Sequence, residues 1–490
     1  MNIVYLASEV APFAKTGGLA DVAGALPRFL AGLGQQVTVM LPAYRMAGPP
    51  AAEITDLRQA VSVPIGDRTV TGGLFESRLP GSDVRVILID CPSYFDRESL
   101  YVDPSTENDY ADNCERFVFF SRAALEACDV LGIEPDIVHA NDWQTGLVPV
   151  YIKTLYATGR AVSRARTLFT VHNLAYQGLF GHWDMPLTGL DWGLFNWHQL
   201  EFYGKLNCLK GGLVFADLLS TVSRRYAQEI QAEEFGCGLE GVLAERAGDL
   251  YGVVNGVDYD AWSPEHDPFI PVTYTAEDLS GKAACKRKLA ESQGLEYQPR
   301  VPLIGIISRL AAQKGFDILG IALDDIMGLD VQMTVLGTGE PKYHQLFEAA
   351  AARHPDRLAV NLTFSNELAH QIEAGSDLFL MPSHYEPCGL NQLYSLRYGT
   401  VPIVRAAGGL ADTVTDCTPG ALESGEATGF VFEQYNPVEL IRAVERAIEL
   451  YARPDDWARL VGIGMRQDWS WHRSARDYVN LYQKALAKSG

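Results

Sequence analysis

Lys15-Thr16-Gly17-Gly18-Leu19-Ala20-Asp21-Val22 follows an apolar, strand-like run at 3–7 and leads directly into a segment of helical spacing. A strand, a glycine turn and a helix in that order open an α/β unit, and the turn falls at the carboxyl end of the strand, where such sheets bind ligands. Two adjacent glycines let the main chain approach an anion, a helix start adds oriented N–H groups, and Lys15 brings the countercharge. A Gly-Gly pair at such a junction is also commonly no more than a turn. Further on, Leu19, Val22, Ala23, Leu26, Phe29, Leu30 and Leu33 recur at helical spacing as far as Gly34, a natural C′ residue, with Pro27 expected to kink or interrupt the helix.

The same alternation continues outward, with apolar runs at 36–41, 84–89, 137–140 and 167–171 separated by amphipathic segments. Parallel sheets with crossover helices produce this pattern. Around Val253-Val254-Asn255-Gly256-Val257-Asp258 it changes, and an irregular stretch with Trp262, Pro264, Pro268 and Pro271 follows. We expect a first α/β domain over 1–252, a hinge over 253–262 and a second α/β domain over 263–468, whose strands are expected at 303–307, 333–336, 378–381 and 401–404. The tail, 469–490, is expected to be helical, with Tyr478, Leu481 and Tyr482 at apolar spacing.

At 490 residues and 47% hydrophobic content the chain is long enough for more than one core. Its 40 Lys and Arg against 61 Asp and Glu leave a formal charge of −21, which argues against broad binding to nucleic acid or anionic membrane. An anionic ligand must then be held by a few placed cations. The N-terminal residues carry no basic, apolar leader pattern, and no run suits a membrane-spanning helix. The 8 cysteines form no C-x-x-C pair or Cys/His cluster, so reduced thiols and a cytoplasmic setting are expected.

Three further turns in the second half each follow an expected strand. Ser308-Arg309-Leu310-Ala311-Ala312-Gln313-Lys314-Gly315 places two cations on one strand-to-helix loop, the arrangement of a diphosphate clamp. Leu336-Gly337-Thr338-Gly339 is a lone G-x-G, which a tight βα turn explains equally well. His384-Tyr385-Glu386-Pro387-Cys388-Gly389-Leu390-Asn391-Gln392 presents a carboxylate in a Pro/Gly turn, where it can accept hydrogen bonds from hydroxyls while neighbouring N–H groups meet phosphate. Arg405-Ala406-Ala407-Gly408-Gly409-Leu410 follows it.

Taken with His139-Ala140-Asn141-Asp142-Trp143, Val171-His172-Asn173-Leu174-Ala175-Tyr176-Gln177-Gly178 and Asn255-Gly256-Val257-Asp258, these motifs closely resemble those of bacterial glycogen synthases and plant starch synthases, in the same order and across essentially the whole chain. The resemblance implies a GT-B fold, with two facing Rossmann-like domains, a cleft between them and a final helix crossing back to the first. It implies an enzyme without cofactor or bound metal that transfers glucose from ADP-glucose to the non-reducing 4-OH of an α-1,4-glucan with retention. Catalytic roles would fall to Glu386, His172, Asp142 and Lys15. The donor would meet Lys15, Gly18, Arg309, Lys314, Gly337, Gly339, Cys388, Gly389, Leu390 and Tyr394, and Asp21, Asn173 and Asn255 would line the sugar side. Tyr394 stands where many retaining relatives carry a second Glu for the nucleotide ribose.

The implied chemistry separates a phosphate leaving group from an anomeric carbon, so positive charge grows on the ring and negative charge on ADP. Same-face attack, with the leaving phosphate oxygen taking the acceptor's proton, retains configuration. Double displacement through Asp142 or Glu386 does too. Asp258-Tyr259-Asp260 has the form of a metal-binding Asp-x-Asp, but it lies in the expected hinge, and His139 and Asp142 lack partners at useful ligand spacing. Most of the aromatic residues are expected in the core.

Overall fold

The strand expected at 3–7 forms over Asn2–Leu6 and pairs in parallel on both sides, with Tyr5 opposite Val39 on one neighbour and His139 on the other. In the computed structural model, which describes residues 1–45 and 54–488, this strand lies inside the first of two compact units. That unit comprises Met1–Val222, Ala227–Gly256 and Trp471–Gly490; the second comprises Ser223–Tyr226 and Val257–Ser470.

Among the described residues the first unit carries a nine-stranded sheet. Its order is Leu250–Gly252, Leu218–Thr221, Arg166–Val171, Ile137–Asn141, Asn2–Leu6, Gln36–Pro42, Arg85–Asp90, Arg68–Arg78, Thr55–Ile65. The first seven strands run parallel, and the last two form an antiparallel hairpin closed by Gly66-Asp67, with Gly66 at φ +59° as a two-residue hairpin turn requires. The hairpin leaves no long apolar run, because much of Thr55–Ile65 faces solvent.

The helix expected after the 15–18 loop spans Gly18–Gly32 and Gly34 is left-handed at φ +80°, as a C′ glycine should be. Pro27 does not interrupt it. The proline ring is buried, so apolar burial offsets the missing hydrogen bond. The terminal helix, Trp471–Ala487, inserts Trp471, Ala475, Tyr478, Leu481 and Tyr482 into the same core as Ile3, Tyr5, Leu26 and Leu30.

The second unit is built on six parallel strands in the order Leu358–Asn361, Gln332–Leu336, Leu303–Ile307, Leu378–Met381, Val401–Arg405, Phe430–Phe432. Helices such as Phe316–Gly328 and Pro437–Tyr451 pack Phe316, Leu319, Leu440 and Val444 against Ile304, Ile306 and Met333. Burial on both faces is why these strands read as unbroken apolar runs. None of the eight cysteines is joined in a disulfide. Among the described residues no helix is long and apolar enough to cross a membrane.

Candidate active site

In the first unit the motif residues collect at the carboxyl ends of adjacent parallel strands. Asp142, just past Ile137–Asn141, adopts φ +55°, an uncommon conformation for a residue with a side chain. Its carboxylate accepts the His172 amide at 2.7 Å, tying together the loops that leave two neighbouring strands. Burial pushes the Asp142 carboxyl up to about 7, although part of its surface stays open; the Glu9 charge adds to the shift, and the His172 and Asn173 amides oppose it.

His172 is pushed down to about 3 by burial and is therefore a neutral imidazole. Asn141 donates its amide to the Leu6 carbonyl at 3.0 Å, which turns its oxygen toward His172 Nε2 at 2.9 Å. An oxygen there can only accept, so Nε2 carries the proton and Nδ1 is the basic nitrogen. Asn141 also accepts the Tyr5 hydroxyl. His139, in the same motif, is a core residue whose ring nitrogens meet Tyr482 and Thr170.

The 15–18 loop enters its helix through an extended Gly17 at φ −153°, and Lys15 makes an exposed pair with Asp21 of the first turn at 2.6 Å. A Cβ at Gly17 or Gly18 would meet nothing within 4 Å. A side chain would fit at either position, so packing does not require glycine there. Asn173 accepts the Ala175 amide, while buried Asn255 has an Oδ1 without a protein hydrogen-bond partner.

In the second unit Lys314 and Glu386, 72 positions apart in sequence, form an ion pair at 2.6 Å. Glu386 is 6% exposed and also accepts the Ser383 hydroxyl at 3.0 Å. Gly315, at φ +79°, lets the two loops meet: a Cβ there would stand 2.0 Å from the Pro382 carbonyl. Gln313 ties them further, accepting the His384 amide and donating to the Tyr385 carbonyl. Arg309 is exposed on the same cation-bearing loop.

Gly337 and Gly339 also have a packing role. A Cβ at either would lie 1.9 Å from the Ser308 carbonyl oxygen or 2.2 Å from that of Leu310, so glycine is required for the strand-like contact between the two loops. Gly408 and Gly409 likewise sit under the Glu386 and Cys388 carbonyls. Cys388 is buried, Gly389 is left-handed at φ +71°, and Leu390 precedes the helix Asn391–Arg397. In that helix Tyr394 stacks on Trp262 at 4.1 Å, and Trp262 stacks on His370. Asp258, in the Asp-x-Asp sequence, accepts the Asp260 amide. The aromatic residues are not all in the core: Trp183, Trp197 and Tyr203 are 72%, 71% and 83% exposed.

Two open α/β units, each with polar loops at the carboxyl ends of parallel strands, one carrying a lysine–glycine loop and the other paired cation and carboxylate loops, define a two-domain GT-B-like glycosyltransferase. Residues 2–245 match the family model for the starch synthase catalytic domain, and residues 289–485 that for glycosyl transferases group 1. The chain is 47% identical to the glycogen synthase of Koribacter versatilis, with 99% of this chain and 98% of that protein covered. It is 46% identical to the glycogen synthase of Thermotoga petrophila over the full length of both. The catalytic domain of starch synthase IV from Arabidopsis thaliana, solved bound to ADP and acarbose, superposes with a TM-score of 0.91 at 34% identity, covering 99% of each chain. The chain belongs to the glycogen and starch synthase family and is a glucosyltransferase.

Proposed function

We propose that this enzyme transfers glucose from ADP-glucose to the non-reducing 4-OH of an α-1,4-glucan with retention, and that it does so in the cytoplasm. The observation that carries the reading is the Lys314–Glu386 pair, a cation and a carboxylate held together at the ends of adjacent strands. A departing glucosyl group needs both: a cation for the phosphate and an anion for the ring. Lys15 and the Gly18 amide on the first unit, and Arg309 on the second, each offer a group suited to phosphate, and His172 Nδ1 can accept a sugar hydroxyl. The exposed rings of Trp183, Trp197 and Tyr203 offer flat apolar faces to a glucan chain.

Same-face transfer is the favoured route. The Lys314 ammonium and the Ser383 hydroxyl both draw on Glu386 Oε2 and weaken the carboxylate as a nucleophile. Asp142 is held by main-chain amides and protonates near neutrality. The leaving phosphate oxygen is then the base for the incoming hydroxyl. Labelled ADP-glucose and UDP-glucose, each incubated with glycogen, test the proposal. ADP-glucose should be the better donor and NMR should show only new α linkages; preference for UDP-glucose, or a β product, would overturn it.

A further inference from the structure

Glu9 lies just beyond the strand Asn2–Leu6, 5% exposed, and its carboxylate is filled on both oxygens. Oε2 accepts the main-chain amides of Thr16 at 2.5 Å and Gly17 at 3.1 Å, and Oε1 accepts the hydroxyls of Thr16 at 2.7 Å and Tyr101 at 2.8 Å. None of the four donors is a cation. A carboxylate beside a loop proposed to bind phosphate opposes that binding by charge, so what it contributes is geometry. The helix Gly18–Gly32 has no side-chain cap of its own, and these contacts, together with the Val10–Ala14 bridge and the Lys15–Asp21 pair, hold the chain entering it.

The support extends behind Tyr101. Its hydroxyl also meets Ser8 at 2.7 Å, and its carbonyl accepts the Asn113 side chain. Fully buried Arg116 donates to Asn113 and to the Leu100 and Tyr94 carbonyls, pinning the segment that carries Tyr101. The loop is thus clamped from its inner side, and its outer side, at Gly17 and Gly18, is open.

We propose that Glu9 is the positioning residue of the 15–18 loop: its clamped carboxylate takes up the Thr16 and Gly17 amides from within, and so directs Lys15 and the Gly18 amide toward the donor diphosphate. This rests on the proposed role of Lys15. Glutamine can reproduce the arrangement, with its oxygen toward the two amides and its NH2 toward the two hydroxyls. Alanine cannot, and aspartate is one methylene too short.

The test compares Glu9→Ala, Glu9→Asp, Glu9→Gln and Lys15→Ala by donor KM, glucan KM, kcat and calorimetric ADP binding, with circular dichroism reporting the folded fraction. Glu9→Ala and Glu9→Asp should raise donor KM and weaken ADP binding by about tenfold, the scale of one hydrogen bond to a charged group, with glucan KM unchanged. Glu9→Gln should recover to within about threefold of wild type, a fraction of that loss. Should Glu9→Ala fail to fold, Glu9→Asp carries the comparison. Loss of kcat in proportion to the folded fraction at constant donor KM would overturn the proposal, as would a Gln variant no better than Ala or Asp. If Lys15→Ala weakens donor binding while the Glu9 variants do not, this inference alone fails. If Lys15→Ala leaves donor binding unchanged, the role assigned to the loop fails with it.

Discussion

Lys314 Nζ lies 2.6 Å from Glu386 Oε2, across loops that leave the neighbouring strands Leu303–Ile307 and Leu378–Met381. In the proposed reaction the two groups serve opposite charges. As the phosphate departs it competes for the Lys314 ammonium, and the Glu386 carboxylate is left freer to face the cationic ring. Ground-state pairing and transition-state stabilisation are then linked through one contact.

Glu386→Gln keeps the size of the side chain and an oxygen for Ser383 but removes the charge. It should lower kcat by about 100-fold or more, as loss of a preorganised electrostatic partner does. Lys314 is released from an ion pair, so ADP should bind as well as to wild type or tighter, and the Tm should move little. Single-turnover transfer, ADP titration and thermal unfolding on one preparation check this. Normal transfer removes Glu386 from the reacting sugar.

Lys15→Ala and Arg309→Ala should each cost about 1.5–3 kcal/mol in kcat/KM, the worth of a charge-assisted hydrogen bond. Stability should barely change, because the Lys15–Asp21 pair is exposed and such pairs contribute little. Lys314→Ala differs: it strands the buried Glu386 carboxylate and should also lower stability, by about 1–3 kcal/mol, less than for a fully buried pair because Lys314 is partly exposed. Urea melts beside steady-state kinetics separate the three.

The strands at 303–307 and 378–381 were legible to the residue because buried parallel strands are continuous apolar runs. The hairpin Thr55–Ile65 with Arg68–Arg78 was not, since its exposed face breaks the apolar signal. Among the site candidates, Glu386 and Lys314 were each visible in their motifs, but their pairing was not, because it depends on Gly315 bringing the loop against Pro382. Glu9 and Asn141 are acid and amide at strand ends, a recognisable place for polar function, yet what they do resides in contacts to Thr16, Tyr101 and His172. Gly337 and Gly339 look in sequence like ligand glycines; their close approach to the 308–310 backbone gives them a packing reason as well.

Asp142 and His172 make opposite contributions to stability against pH. The Asp142 carboxyl is raised to about 7, so its contribution is complete below its unfolded value and is lost as pH rises through 7. His172 is depressed to about 3, so its contribution is present above the unfolded value of about 6.5 and is lost as pH falls. The two offset one another between roughly pH 4 and 6.5. Asp142→Asn removes only the first, so the variant's Tm should rise more steeply than wild type's from pH 4 to 7. Parallel Tm–pH curves would remove Asp142 as a titrating group in that window.

Gly18 and Gly337 contrast a glycine proposed to face a ligand with one that packing requires. Gly18 begins a helix outside the left-handed region, and a Cβ there meets nothing within 4 Å. Alanine at that position should leave the fold intact or stabilise it by about 0.4–1 kcal/mol, through lower unfolded-state entropy and better helix propensity. At Gly337 a Cβ would stand 1.9 Å from the Ser308 carbonyl oxygen, and backbone must move to admit it. That substitution should cost about 1–3 kcal/mol or more of stability. If phosphate approaches the outer face of the 15–18 loop, Gly18→Ala puts a methyl group in its path and should raise donor KM by about tenfold at undiminished Tm, the equivalent of one hydrogen bond lost. Gly337→Ala should show its damage first in the melting curve. Full donor affinity in Gly18→Ala would mean that the open side of the loop is not where the anion sits.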